Sequence, residues 1–386
     1  MEKTKRIDIK KNNKNKNSFW QQGKLDFPFL ALVLILLTFG LVMLFSSSYA
    51  FALVEQGDSY HYIKRQLLFA CIGVALMLIF SKINYHFYRK FVWILYGISV
   101  ILLGALLVLP PLVPGATQKR WIPLGPITFQ PSEIGKFALV LALAHMISKN
   151  YKRMGEFKYG TLFMGGLTAV IGGLVALETH LSAAIIIFAM GFVMMIVGGM
   201  NLKTFAVIVT PIAVLGVILV IVSGYGVDRF TYWINPEADA MGKGYQTLQS
   251  LMAIGSGGIF GRGFGQSRQK YLWVPEPHND FIFSIVCEEL GLVGAIIIIL
   301  LFCALVWRGF TIAMKAPDRF GALMCVGLVF QVGFQAVLNI LVVTNTVPNT
   351  GISLPFFSYG GTALVMLLAE MGVVLSISRA SKMPKN

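Results

Sequence analysis

The 386-residue chain is 56% hydrophobic and only 13% charged, with mean hydropathy +0.73. A soluble globular domain carries about 25% charged residues, so neither a disordered chain nor a water-soluble globule fits. The net charge of +15 would suit nucleic acid, but in a chain this apolar, orientation in a membrane explains basic residues better.

Residues 1–26 are basic and Asn-rich and read as a disordered tail. The apolar run after them has no small-residue cleavage site, so it is expected as a retained helix rather than a signal peptide. A spanning helix needs about 20 apolar residues. Uncharged stretches of that order run Phe27–Val54, Gln66–Ser81, Phe91–Gln118, Tyr159–Leu177, Thr179–Leu202, Thr204–Val227 and Leu290–Trp307, then Phe320–Ala369. Pro131–Ser148 is apolar apart from Glu133, Lys136 and His145. The last stretch is too long for one helix, and Asn345, Pro348, Asn349, Gly351 and Pro355 break it.

The prediction is therefore an all-α polytopic membrane protein of about ten helices, in one membrane domain over 27–380 and a short tail over 381–386. Both termini then lie on one side. Twenty-two of the 32 Lys and Arg residues fall on that side, which makes it cytoplasmic. The charge is topogenic, and nucleic acid is excluded as a partner.

Two segments on the opposite side exceed simple connectors, 111–130 and the large loop 225–282 between the seventh and eighth spans. Loops that long in a compact protein are commonly functional. Cys71, Cys287, Cys303 and Cys325 lie in apolar runs without paired spacing, and read as buried, reduced small hydrophobes.

Few carboxylates remain as candidates for chemistry. Asp280 follows Pro275-Glu276-Pro277-His278-Asn279 and immediately precedes an apolar helix. It could be an N-cap or a general base meeting a membrane-anchored substrate. His278 could orient it or serve only as a structural hydrogen-bonder. Glu133 and Lys136 share a helix face, as an intrahelical ion pair or, with Lys119 and Arg120, as a cationic pocket for phosphate. Glu288-Glu289 suggests buried hydrogen bonds between helices. The glycine-rich run 255–265 is not a phosphate loop, since GxxxxGK[ST] is absent, and reads as close backbone packing. No His/Cys/Glu cluster has metal-site spacing.

Several stretches together carry a family signature. They are Arg120-Trp121-Ile122 with Phe129-Gln130-Pro131-Ser132-Glu133 and Lys136, then Gly244-Tyr245-Gln246 through Gly258 and Gly261 through Gly265 with Ser267, Gln269 and Lys270. Further on come Pro275-Glu276 through Asp280-Phe281 with Glu288-Glu289-Leu290-Gly291, and Pro348-Asn349-Thr350-Gly351 with Leu354-Pro355-Phe356 and Ser358-Tyr359-Gly360-Gly361. In this order they resemble the shape, elongation, division and sporulation (SEDS) family of bacterial cell-wall polymerases, which includes FtsW and RodA. The wording is closer to the division and sporulation branch than to the elongation branch.

The resemblance implies a peptidoglycan glycosyltransferase of the cytoplasmic membrane, working at its outer face on lipid II and releasing undecaprenyl pyrophosphate. It implies a class B penicillin-binding protein as partner, with other division or elongation membrane proteins. The family's catalytic acid falls on Asp280, and Glu133 and Lys136 match its functional motif. Lys119, Arg120, His278 and Ser358 complete the expected substrate site. A Mg²⁺ or Mn²⁺ ion could share the charge neutralisation, without a dedicated protein cage. One departure stands out: where the family commonly has Pro-Asp-Leu-Gly-Thr, this chain has Glu178-Thr179-His180-Leu181-Ser182-Ala183. A lipid-precursor transporter and a non-catalytic scaffold are the competing expectations.

Overall fold

The computed structural model describes residues 19–21, 23–109, 120–124, 127–203, 206, 227–242 and 244–381. Eleven helices are named here, all among the described residues: α1 Phe27–Gln56, α2 His61–Lys82, α3 Val92–Val108, α4 Pro131–Lys149, α5 Met164–Leu177, α6 Leu181–Val197, α7 Val227–Ile234, α8 Tyr245–Gly257, α9 Ile282–Met314, α10 Arg319–Val343 and α11 Gly361–Ser381. A wider turn over Phe157–Phe163 runs directly into α5. Six of these helical stretches are long and apolar enough to cross a membrane: α1, α2, Phe157–Leu177, α9, α10 and α11. α3 and α6 are apolar but shorter. Apart from residue 206 and Val227, the expected span Thr204–Val227 lies outside the described residues, as do 1–18, 22, 382–386 and Lys119.

Local chemistry explains several helix limits. Asp26 caps α1, its Oδ1 accepting from Phe29 N–H at 3.2 Å, and Pro28 occupies the first turn. Asp318 caps α10 through Gly321 N–H at 3.0 Å. α2 begins five residues before the expected uncharged run because Lys64 and Arg65 sit in its exposed first turns. Their long stems let a charge remain at a helix end.

α4 lies at the centre. Ala138 through Ala144 are all fully buried, and α3, α5, α6 and α10 pack around it. A helix apolar on every side belongs inside a bundle. Its charged pair is thereby carried inside as well. α2 lies along α11, while α9 packs on α1, α8 and α10.

Within the all-α fold, Ile122–Leu124 and Ile127–Phe129 form a short two-stranded antiparallel hairpin with Ile122 opposite Phe129 (β1 and β2). α7 and α8 lie within the large loop 225–282. Trp233 Nε1 donates to Asn345 O at 2.9 Å, and Asn345 Nδ2 returns a bond to Trp233 O at 3.1 Å, pinning α7 to the segment after α10. Of the cysteines, Cys287 and Cys325 are buried but Cys71 and Cys303 are exposed. Apolar context cannot separate core from lipid-facing positions, because both surfaces are apolar.

The basic tail is also less loose than expected near its end. Trp20 forms a β-bridge with Ile83, and Gln21 N–H donates to Lys82 O. Asp26 forms a two-bond ion pair with Arg308, both contacts at 2.9 Å.

The glycine-rich segment packs backbone to backbone on a kink in α9, as its composition suggests. Gly291 has φ +67° inside that helix. Leu292 N–H donates to Gly258 O and Val293 N–H to Ile259 O. A methyl group on Gly291 would collide with the Gly261 and Ile259 backbone. Beside the kink, Glu288 and Glu289 are fully buried. Glu289 accepts from Lys270 Nζ at 2.9 Å and Ser46 Oγ at 2.7 Å, and Glu288 accepts from Arg268 N–H at 2.9 Å.

Removing one partner of a buried ion pair is far more damaging than breaking an exposed one. Lys270→Met should lower unfolding stability by about 3–5 kcal/mol, read as a depressed thermal midpoint in detergent. Lys64→Ala, which breaks the exposed Lys64–Asp58 pair, should change it by less than about 1 kcal/mol.

Candidate active site

A cavity of about 490 Å³ opens between the hairpin, the start of α4, the first turns of α2, and the segment joining α10 to α11. Arg120, Glu133, Lys136, Asp280 and Ser358 all line it. Five residues expected from distant points of the chain therefore face one space.

Asp280 is half-buried in the turn that leads into α9. It does not cap that helix: Phe281 occupies the N-cap position and no side chain bonds there. The acts on its carboxylate are burial and nearby charge alone. Burial raises its pKa to about 6, Glu276 adds to the rise, and Arg120 opposes it. A carboxylate of that kind is ionised at neutral pH and still basic enough to take a proton.

Arg120 stands on the approach to β1, where its Nη2 donates to Thr179 O at 3.1 Å. Lys136 is buried on α4, with its Nζ 2.9 Å from Glu133 Oε1 and 3.5 Å from Gln335 Oε1. The pair is an intrahelical ion pair, and both residues line the cavity. Gln335 Nε2 reaches Ser353 O at 3.0 Å and links that pair to the α10–α11 segment.

The turn between α5 and α6 carries the departure noted above. Thr179 has φ +58° and presents its carbonyl to Arg120. His180 lines the cavity, 3.3 Å from Gln130 Nε2. Burial, with Arg120 and Lys136, pushes the His180 pKa down to about 3, so the ring is neutral. Burial lifts the Glu178 carboxyl to about 8 despite Arg120.

Ser358 and His278 take other positions than a simple binding role. Ser358 Oγ donates to Asn279 O and accepts from Leu354 N–H, both at 2.8 Å. Its hydroxyl is engaged in holding the loop. His278 is absent from the cavity wall; it is buried against Phe51, Tyr62 and Tyr359, and burial lowers its pKa to about 4. The aromatic cluster explains why a histidine two residues from Asp280 points away from it.

Arg65, Glu276, His180 and Asn339 were not singled out for this site from sequence. Arg65 was visible as one of the few basic residues expected opposite the cytoplasmic face. Asn339 was visible as one of three amides, with Gln331 and Gln335, four apart in an apolar run. Among the described residues no three His, Cys, Asp or Glu side chains come together as a metal cage.

Gly351 has φ +66°, and a methyl group there would stand 3.1 Å from Asp280 Oδ2. A side chain at position 351 would therefore crowd Asp280 and strain the backbone.

The family of FtsW, RodA and SpoVE cell cycle proteins matches residues 27–383. Stage V sporulation protein E of Bacillus subtilis is 39% identical over 362 residues, 92% of this chain and 98% of that protein. A probable peptidoglycan glycosyltransferase FtsW of Trichlorobacter lovleyi is 37% identical over 93% of this chain and 94% of its own. Among solved structures, a chain of a peptidoglycan synthase complex that coordinates polymerization and crosslinking aligns with TM-score 0.77 and 30% identity, covering 93% of this chain and 99% of that one. The rod shape determining protein RodA of Thermus thermophilus aligns with TM-score 0.69 and 28% identity, over 93% and 98%.

The Asp280 pKa has a stability consequence. A carboxyl whose pKa rises on folding is destabilising while ionised, a cost present above the folded value and lost as pH falls toward the unfolded one. Asp280→Asn should raise the thermal midpoint at pH 8, and this advantage should shrink between about pH 6 and pH 4.

Proposed function

This chain belongs to the FtsW, RodA and SpoVE family, and from that membership we propose that Asp280 is the general base of its glycosyl transfer. The protein is a multi-pass membrane peptidoglycan glycosyltransferase of the SEDS family, in the line serving division and sporulation. One observation carries the assignment of the base: Asp280 faces the same cavity as Arg120 and Lys136, and burial perturbs its carboxylate.

Asp280 takes the proton of the acceptor sugar's 4-hydroxyl as that oxygen attacks the anomeric carbon of the lipid-linked donor. The bond from that carbon to the pyrophosphate oxygen breaks, and undecaprenyl pyrophosphate leaves. Arg120 and Lys136, fixed by Thr179 O and by Glu133, are preorganised cations for the charge developing on the leaving group. Lipid II is the substrate, used at the outer face of the cytoplasmic membrane. Glu276 and Asp280 are the carboxylates on the cavity wall nearest that chemistry. A Mg²⁺ or Mn²⁺ ion would rest on the substrate's phosphates and one of these carboxylates, and would supply further charge neutralisation.

The structural relative comes from a complex that couples polymerization to crosslinking. A class B penicillin-binding protein is the corresponding partner here, together with other membrane proteins of the division apparatus. The membrane domain comprises 27–380, with 225–282 outside the cytoplasm and the basic tails within it.

The test uses the full chain with its penicillin-binding partner and fluorescent lipid II. Wild type should give glycan polymer and Asp280→Asn none; equal polymer from both would sink the assigned base. The rate should fall as pH drops below about 6, where the carboxylate is lost to protonation. Lipid movement across vesicles that survives Asp280→Ala, without polymer from wild type, would favour a transporter instead.

A further inference from the structure

Three successive carbonyls lead into α9, and each is held by the α10–α11 unit. His278 O accepts from Tyr359 N–H at 2.9 Å. Asn279 O accepts from Ser358 Oγ at 2.8 Å. Asp280 O accepts from Asn339 Nδ2 at 2.7 Å. Helical bonding begins only at the next residue, where Phe281 O accepts from Ser284 N–H. These three carbonyls therefore lie outside the helix, and the α10–α11 unit supplies their donors.

Asn339 differs from the other two donors. It is fully buried, and the second hydrogen of the same nitrogen bonds Ile352 O at 2.6 Å. Ile352 lines the cavity next to Gly351, the residue whose missing side chain leaves space for Asp280 Oδ2. One rigid amide thus sets the separation between the peptide that carries Asp280 and the opposite rim.

We propose that Asn339 is a positioning residue for Asp280. Its two N–H groups fix the peptide plane that follows the Asp280 Cα, and with it the direction in which the carboxylate enters the cavity. The inference rests on the reading of Asp280 as the base. Asn339 touches neither substrate nor reacting atoms; it acts through Asp280.

A purely structural role is the competing account, since a buried amide in an apolar helix needs partners wherever it sits. Ser250 of α8 supplies an internal comparison: it is also fully buried, and its Oγ donates to Val343 O at the end of the helix that carries Asn339, at 2.9 Å.

The experiment measures lipid II polymerisation by the full chain with its partner, per folded enzyme, across substrate concentration and pH. Asn339→Ala should lower kcat by about 10²-fold with KM within about twofold, because misplacing a reacting group by about 1 Å has that effect while binding survives. Its acid limb should move away from the wild-type position. Asn339→Asp, which keeps the shape but replaces the donor nitrogen with an oxygen, should lose at least as much. Ser250→Ala should lower the thermal midpoint and leave kcat alone.

Wild-type kcat and an unmoved acid limb in Asn339→Ala would overturn the proposal, whatever the midpoint does. Should that variant fail to fold, Asn339→Ser is judged by the same two readouts. Asp280→Asn is assayed beside them: polymer from it would remove the base itself. An inactive Asp280→Asn with a normal Asn339→Ala would overturn the positioning role alone.

Discussion

The hold of the α10–α11 unit on the carbonyls of His278, Asn279 and Asp280 is the constraint on which the rest of the site depends. Each of these carbonyls takes a donor from outside its own helix, so the segment between α10 and α11 follows the turn before α9 closely. That contact brings Gly351, Ser353 and Ser358 to the cavity wall, and Gln335 carries it on to Lys136. Asp280 and the cations thus share one space because backbone hydrogen bonds require it.

The same economy of polar groups organises the kink in α9. Gly291 breaks the helix, and the freed backbone groups bond to Gly258, Ile259 and their neighbours. Glu288 and Glu289 receive the donors of Ser267, Arg268 and Lys270, so the whole segment 258–280 is clamped to the helix it precedes. Buried carboxylates there hold the loop, whereas Asp280, a few residues before them, keeps its oxygens for the cavity. Carboxylates thus serve two purposes: Glu288 and Glu289 bind the loop's donors, and Asp280 faces the cavity with Arg120.

Much of this was legible in the chain. The apolar runs located the helices that can cross a membrane, and the Asn and Pro residues after 344 marked the break between α10 and α11. Arg120, Glu133, Lys136 and Asp280 stood out because ionisable groups are scarce in so apolar a sequence. Other features were hidden. His278 looked like a partner of Asp280 by proximity, yet Phe51, Tyr62 and Tyr359, distant in sequence, draw it aside. Cys71 and Cys303 looked buried, because lipid and protein core favour the same side chains.

By itself the sequence determined the membrane class and the scarcity of acids, since both follow from how much charge the chain carries and where. Only the tertiary structure decided which scarce polar groups meet. Whether Asp280 caps a helix or faces a cavity depends on Asn339, Gly351 and Arg120, residues far from it along the chain. Hydropathy is a property of one segment at a time, whereas the hydrogen-bonding needs of buried groups are met across segments, and the site is made of the latter.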